Sequence, residues 1–324
     1  MRRTTAALSL QGHRRGLGSC RAGGFVRRLA TSLSPSSAFF TPEQKAQFQD
    51  DGFLVVDRLI DPSLAEAIKN RFPLLFRGEF DTGVYPDEWH WREGMGRDDV
   101  TREIVNSWKS DYTIASAVLS ERLGRLAAEL AGWMGTRVGQ DDIWWKPPGT
   151  KAVSFHQDAP YFDFLNPRRE LITCWIALDD TSRTAGTLEY VRGSHKWPQE
   201  SKMLQNAFFT AQDYRASLDH TAKHLGLPRP EVVPVEVPAG GAAFHSGPTW
   251  HGSGPNTDKT RVRRSLAIHF LPSHATFQPT GVGYIYGRYK KWGSVEMEET
   301  FFPITYRHDG YRSPFLASYC STTL

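Results

Sequence analysis

Two hydrophobic rhythms divide the chain. Up to about residue 132 apolar positions recur at helical spacing, whereas beyond Val138 they come in short β-branched runs between Gly and Pro turns. Thr41-Pro42-Glu43-Gln44 sets an N-cap before Pro at the first helical position, with Gln three residues after the cap, and Gly52 closes the short helix that follows. Phe53-Leu54-Val55-Val56 predicts a strand, and Asp61-Pro62 opens a second helix predicted to run to about Phe72. Between Phe76 and Lys109 the periodicity lapses into Gly, Pro, Asp and aromatics, and an irregular loop region is expected. From Asp111 to Leu130, Ile114, Ala117, Val118, Leu123, Leu126, Ala127 and Leu130 keep helical spacing as far as Gly132, predicting a pair of core-facing helices.

The second half carries strand candidates at Asp142 to Trp145, Leu171 to Leu178, Gly186 to Val191, Gly241 to Phe244 and Arg263 to Phe270. Such runs predict an antiparallel barrel or jelly roll, mainly β with flanking helices. In the last run Leu266, Ile268 and Phe270 share one face, while Arg263, Ser265, Ala267 and His269 take the other. No internal repeat at a solenoid or propeller period is present, so residues 39–324 are expected to form a single domain.

A hydrophobic fraction of 40% over 324 residues is ample for a buried core. Cys20, Cys174 and Cys320 are too few and too scattered for a disulfide framework or a Cys-rich zinc site, which fits a reducing compartment. No apolar run approaches the roughly 18 residues of a membrane span, and a soluble protein is expected. Residues 1–42 hold Arg2, Arg3, Arg14, Arg15, Arg21, Arg27 and Arg28 and no acidic residue. That is transit-peptide composition: residues 1–38 are expected to address the mitochondrial matrix, with the plastid as the alternative and an unaddressed basic tail as the plain one. With those seven arginines set aside, the formal charge of +4 becomes −3, and nucleic-acid binding loses its compositional support.

The chemistry gathers around Val153-Ser154-Phe155-His156-Gln157-Asp158. If this is a strand end, the period of two sends His156 and Asp158 to one face. A second His on a neighbouring strand would complete the two-His-one-carboxylate set of non-haem iron sites, and Trp250-His251-Gly252-Ser253-Gly254 supplies it. His195 and His245 are alternatives with poorer spacing, expected as loop residues or as partners of the ligands. Arg263, if it faces the barrel interior, needs an anion: either an ordinary Asp, or the distal carboxylate of a keto acid whose other end chelates a metal.

Together, His156-Gln157-Asp158, Gly186-Thr187-Leu188, Gly193-Ser194-His195-Lys196, His251-Gly252-Ser253-Gly254 with Asn256, and Arg263 resemble the phytanoyl-CoA dioxygenase family over roughly residues 42–275. The resemblance implies a double-stranded β-helix, cupin-like, with Fe(II) held by His156, Asp158 and His251 and with 2-oxoglutarate as cosubstrate. It places Trp175 and Ser253 in the cosubstrate pocket and makes Arg263 the carboxylate-binding arginine. Lys146 is a weaker cosubstrate candidate and is expected at the surface. The implied reaction consumes O₂, turns 2-oxoglutarate into succinate and CO₂, and hydroxylates a small organic substrate, with ascorbate as an expected stimulant. It needs no acid–base residue beyond the metal ligands, and the presence of Asp158 favours hydroxylation over halogenation.

Residues 77–110 with Tyr161, Phe162 and Phe164 are the expected pocket lid and favour a substrate with an apolar or flat face. An acyl-CoA would need a basic entrance, for which Lys109, Arg168 and Arg169 are available. A zinc hydrolase on the same three ligands and a silent metal-binding jelly-roll module are the competing classes. The first lacks a nearby Glu placed as general base and leaves Arg263 without a role, and the second would be expected to have drifted at one of the ligands.

Overall fold

The structure, a computed structural model, describes residues 38–198, 213–281, 283 and 285–319. The leader expected over 1–38 lies, but for Ala38, outside the described residues, as do Cys20 and Cys320. From Ala38 onward the described chain belongs to one structural unit.

The first helix, Pro42–Asp51, is built as its sequence dictates. Thr41 and Gln44 form a reciprocal capping box, and Gly52 ends the helix in the left-handed region at φ 84°. The strand Phe53–Val56 follows directly. The second helix runs from Pro62 to Arg77, past the predicted end near Phe72 and through Pro73. Full burial of Phe72, Leu75 and Phe76 against the core holds the extra turn together, a case of packing overriding the local cost of proline. Tyr112–Val118 and Glu121–Ala131 form the expected helix pair, capped by Asp111, Ser120 and Gly132.

The large sheet runs Phe53–Val56, Ala242–Ser246, Ile172–Ala177, Arg263–Pro272, Gly135–Lys146, Arg102–Val105, Glu88–Trp89, with every pairing antiparallel; Ile304–Arg307 adds to Gly135–Lys146. Two of these strands fall in the region expected to be irregular. Arg102–Val105 was hidden because its alternation is only four residues long and begins with two charges. The small sheet runs Val153–His156, His251–Ser253, Leu188–Val191, Val232–Pro234. Together they make the jelly roll, with Phe53 stacked on Tyr190 across the gap between the sheets at 4.7 Å.

The two faces of the large sheet do different work. Ile104, Ile143, Ile176, Leu266, Ile268 and Phe270 bury among the helices in the main hydrophobic core. The alternate positions, Glu103, Asp142, Trp175, Arg263, Ala267 and His269, line a cavity between the sheets. The expected split of Arg263–Phe270 is therefore what the structure contains. Among the described residues no helix is long and apolar enough to cross a membrane.

Gly124 seats the helix Glu121–Ala131 on the sheet: a Cβ there would lie 2.4 Å from Thr305 Oγ1 and 2.7 Å from Thr136 Oγ1. Gly124→Ala is therefore expected to lower the urea midpoint, although the same change in an open helix stabilises by about 1 kcal/mol. An unchanged or raised midpoint would show that the two threonines yield without cost.

Candidate metal centre

His156 ends the strand Val153–His156 and faces His251 directly across the ladder, in register. Asp158 is not on that strand. It sits at the start of the short helical turn Ala159–Phe162, with its backbone N–H donating to Gly247 O at 3.0 Å. The turn, rather than strand alternation, brings its carboxylate to the histidines. Asp158 Oδ1 lies 3.8 Å from His156 Nε2 and 3.3 Å from His251 Nε2, and one ligand atom from each of the three residues falls within 4.8 Å of the others.

The hydrogen bonds of the two ligand-candidate rings to backbone use their Nδ1 atoms. His156 Nδ1 donates to Ser154 O at 2.8 Å and His251 Nδ1 to Thr249 O at 3.0 Å, so each ring presents an Nε2 lone pair to the shared point. Burial, then His251, pushes His156 down to about 3, so it is a neutral ligand at physiological pH. Burial opposes ionisation of Asp158, but His251, His269 and the hydrogen bond from His245 hold its carboxyl well below the usual range.

The two oxygens of Asp158 meet different partners. Thr173 Oγ1 donates to Oδ2 at 2.6 Å and His245 Nε2 does so at 2.9 Å, leaving Oδ1 to face the histidines. His245 lies in the strand Ala242–Ser246 rather than in a loop; Tyr190 Oη donates to its Nδ1 at 2.8 Å, and burial, then His251, lowers it to about 4. His195 stands apart in the turn Ser194–Lys196, with Nε2 donating to Gln49 O at 3.0 Å.

His269 and Thr173 are site residues that sequence reasoning did not assign. Because the Thr173 hydroxyl proton goes to Asp158, His269 Nδ1 must donate to Thr173 Oγ1 at 2.8 Å, while Nε2 donates to Asp142 Oδ2 at 2.8 Å. Two donors on one ring make an imidazolium. Burial works against the charge, yet Asp158 and Asp142 raise His269 to about 10. The inward face of its strand was legible; its partners, distant in sequence, were not.

Arg263 lines the other end of the cavity, and Lys146 is buried beside it. Arg263 and Lys146 are register partners on adjacent strands. Lys146 has no exposed surface, so its expected place at the surface is wrong: the strand predicted over Asp142 to Trp145 continues through Lys146, and the pleat turns its side chain inward. Lys146 Nζ donates to Ser253 Oγ at 2.7 Å and to Gly254 O; Arg263 donates to Ser253 Oγ at 3.2 Å, Ser265 Oγ at 2.8 Å and Gly186 O at 3.2 Å. Among the described residues neither has a carboxylate partner. Burial, then the neighbouring Arg263, holds Lys146 well below the usual amine range, and burial lowers Arg263 to about 10. Gly186 is required here, since a Cβ would lie 2.7 Å from Gly254 O and 3.1 Å from Lys146 Nζ. Trp175 and Leu188 add apolar wall, with the guanidinium 5.8 Å from the indole.

The cavity spans about 830 Å³ and joins both ends. Tyr161, Phe162 and Phe164 line it as expected, together with Glu88, His90, Glu103 and Val105 from the expected lid. Of the proposed basic entrance only Arg168 lines the cavity. Lys109 is held by Asp87 at 2.7 Å and Tyr289 at 2.9 Å, and Arg169 is exposed elsewhere.

Fold and site thus define a jelly roll with a two-His-one-carboxylate cluster, a donor set that fits a divalent metal with open positions. Residues 48–265 match the phytanoyl-CoA dioxygenase (PhyH) family model, and the chain belongs to that family. Among curated relatives, a probable alpha-ketoglutarate-dependent hypophosphite dioxygenase of Stutzerimonas stutzeri is 25% identical over 81% of this chain and 88% of its own. The peroxisomal phytanoyl-CoA dioxygenase of Bos taurus is 25% identical over 80% of each. The crystal structure of SnoK, a non-heme alpha ketoglutarate dependent carbocyclase from nogalamycin biosynthesis, shares the fold at TM-score 0.64 and 24% identity, over 82% of this chain and 96% of its own.

Thr173→Val removes a donor to Asp158 while keeping its shape. Affinity for Fe(II) or Mn(II), measured by calorimetric titration, is expected to fall by about 10- to 100-fold. Unchanged affinity would mean that the carboxylate is oriented without Thr173.

Proposed function

We propose that the protein is a 2-oxoglutarate-dependent hydroxylase of a small organic substrate, with Fe(II) held by His156, Asp158 and His251. The paired, buried, carboxylate-free cations Arg263 and Lys146 support this most directly. Two such charges in a dry cavity are costly unless an anion joins them, and a dicarboxylate anchored at the metal by its keto-acid end delivers one. A hydrolase built on the same three ligands would leave both cations without a purpose.

Bound together, Fe(II) and 2-oxoglutarate supply O₂ activation. The overall change is substrate C–H, O₂ and 2-oxoglutarate to C–OH, succinate and CO₂. The chain's own part is positioning. Arg263 offers the planar fork for the distal carboxylate, Lys146 adds a second charge at the same end, and the Ser253 hydroxyl holds both in place. Trp175 and Leu188 keep water from that ion pair, which strengthens it. Relatives named for hypophosphite and for phytanoyl-CoA act on unlike molecules, so family membership supports the cosubstrate chemistry without choosing the substrate.

The anaerobic protein with Fe(II) is expected to gain a weak visible band on adding 2-oxoglutarate. Arg263→Ala should retain iron but need about 10- to 100-fold more 2-oxoglutarate to reach the same band, the loss expected for a charged hydrogen-bonding group. Absence of the band in the native, iron-loaded protein would sink the proposal; wild-type 2-oxoglutarate affinity in the variant would sink the role of Arg263.

A further inference from the structure

Cosubstrate chemistry occupies the basic end of the cavity; the wall built by the strands Glu88–Trp89 and Arg102–Val105 is acidic. Arg102–Val105 sends Ile104 into the helix layer and Glu103 and Val105 into the cavity, where Glu88 and His90 join them. His90 Nε2 lies 2.9 Å from Glu88 Oε2 and 3.6 Å from Glu103 Oε2.

The neighbouring acid is already satisfied. Asp142 takes Gln140 Nε2 on both oxygens, at 2.8 and 2.9 Å, and the His269 imidazolium on one. Glu103 is not. It is 7% exposed and lines the cavity, and the closest charged contact of its carboxylate among the described residues is His90 Nε2 at 3.6 Å, longer than a hydrogen bond. Burial, then Asp142 and Glu88, pushes its carboxyl well above the usual range, the signature of an anion without sufficient counter-charge. Lys109 could have supplied that charge but is committed to Asp87 behind the wall. Of the other acids on the cavity, Asp158 belongs to the histidine cluster, and Asp163 lies with the exposed Arg168 on the segment following Phe162. Rings of Tyr161, Phe162, Phe164 and Tyr286 line the same space.

We propose that the substrate carries an ammonium group on an apolar body: Glu103, with Glu88 beside it, receives the cation, and the rings of Tyr161, Phe162, Phe164 and Tyr286 hold the body. The class follows from complementarity. An ammonium gives Glu103 a closer charged donor than His90 at 3.6 Å, and aromatic faces favour both the apolar body and the cation. A polyphosphate-bearing thioester would bring further negative charge to this wall. The inference rests on the oxygenase reading of the same cavity.

The test uses the anaerobic protein loaded with Fe(II) and 2-oxoglutarate. Phenethylammonium, phenethyl alcohol and 3-phenylpropionate are titrated in turn, read by calorimetry and by perturbation of the visible band. The ammonium is expected to bind about tenfold or more tightly than the alcohol, and the carboxylate most weakly. Glu103→Gln should remove about tenfold of the ammonium's affinity and leave the affinities for the alcohol and for 2-oxoglutarate unchanged. Should that variant fail to fold, Glu88→Gln is expected to show a smaller loss of the same kind, and the ranking in the native protein decides alone. Equal affinities, a preference for the carboxylate, or no uptake of the ammonium at millimolar concentration overturns the inference while a normal band leaves the oxygenase standing. Absence of the band overturns both.

Discussion

One carboxylate joins the two sheets. Asp158 follows a strand of the small sheet, yet its Oδ2 is held by Thr173 and His245, two side chains of the large sheet, with His269 of a third strand bonded to Thr173 behind them. Its Oδ1 faces His156 and His251 of the small sheet. Any slip between the sheets would break this set, so the same bonds that orient a metal ligand also fix the separation of the layers. This explains why a buried charge is tolerated at the centre of the molecule: it is surrounded by donors whose own second atoms are bonded in turn.

The sequence was most informative where local rules suffice. The capping box at Thr41, the strand after Gly52 and the two faces of Arg263–Phe270 all follow from spacing within a few residues. His156 and His251 were legible because a metal demands a small choice of residue types, and chance rarely supplies them in that company. What stayed hidden depends on pairings across long stretches of chain. Thr173, Asp142 and His269 meet only because three strands align, and nothing local in Thr173 distinguishes it from any threonine in a strand. Lys146 was misplaced by the general rule that lysines are exposed, and that rule fails here because its strand runs one residue further than predicted and Ser253 and Gly254 take its ammonium inside.

The basic end carries an energetic implication. Without an anion, Arg263 and Lys146 repel one another in a buried site, and among the described residues their hydrogen bonds go to carbonyls and hydroxyls. Such an arrangement costs stability in the ligand-free chain and returns it on binding, so cosubstrate should stabilise the fold beyond what its contacts alone would give. Buried like charges of this kind make poor structural glue, which is a physical reason to look for a ligand and not for a folding role.

The cavity divides its tasks among separate pieces of chain. The histidine–carboxylate cluster and the buried Arg263 and Lys146 stand on or beside strands of both sheets, held by ladders on either side and by the helix layer behind. The far wall comes from the short edge strands Glu88–Trp89 and Arg102–Val105, from the segment around 160–168, and from Gln278, Thr280, Ile285 and Tyr286. These pieces are not independent of the histidine–carboxylate cluster: the Tyr161 N–H donates to Asp158 O at 2.9 Å, and the Tyr161 and Phe162 rings stand 6.1 Å from that of His156 and 5.3 Å from that of His269. The wall of Glu88 and Glu103 meets the cluster through the charge of Asp142 and the His269 imidazolium bonded to it, so a change of charge on that wall is felt at Asp158 through His269.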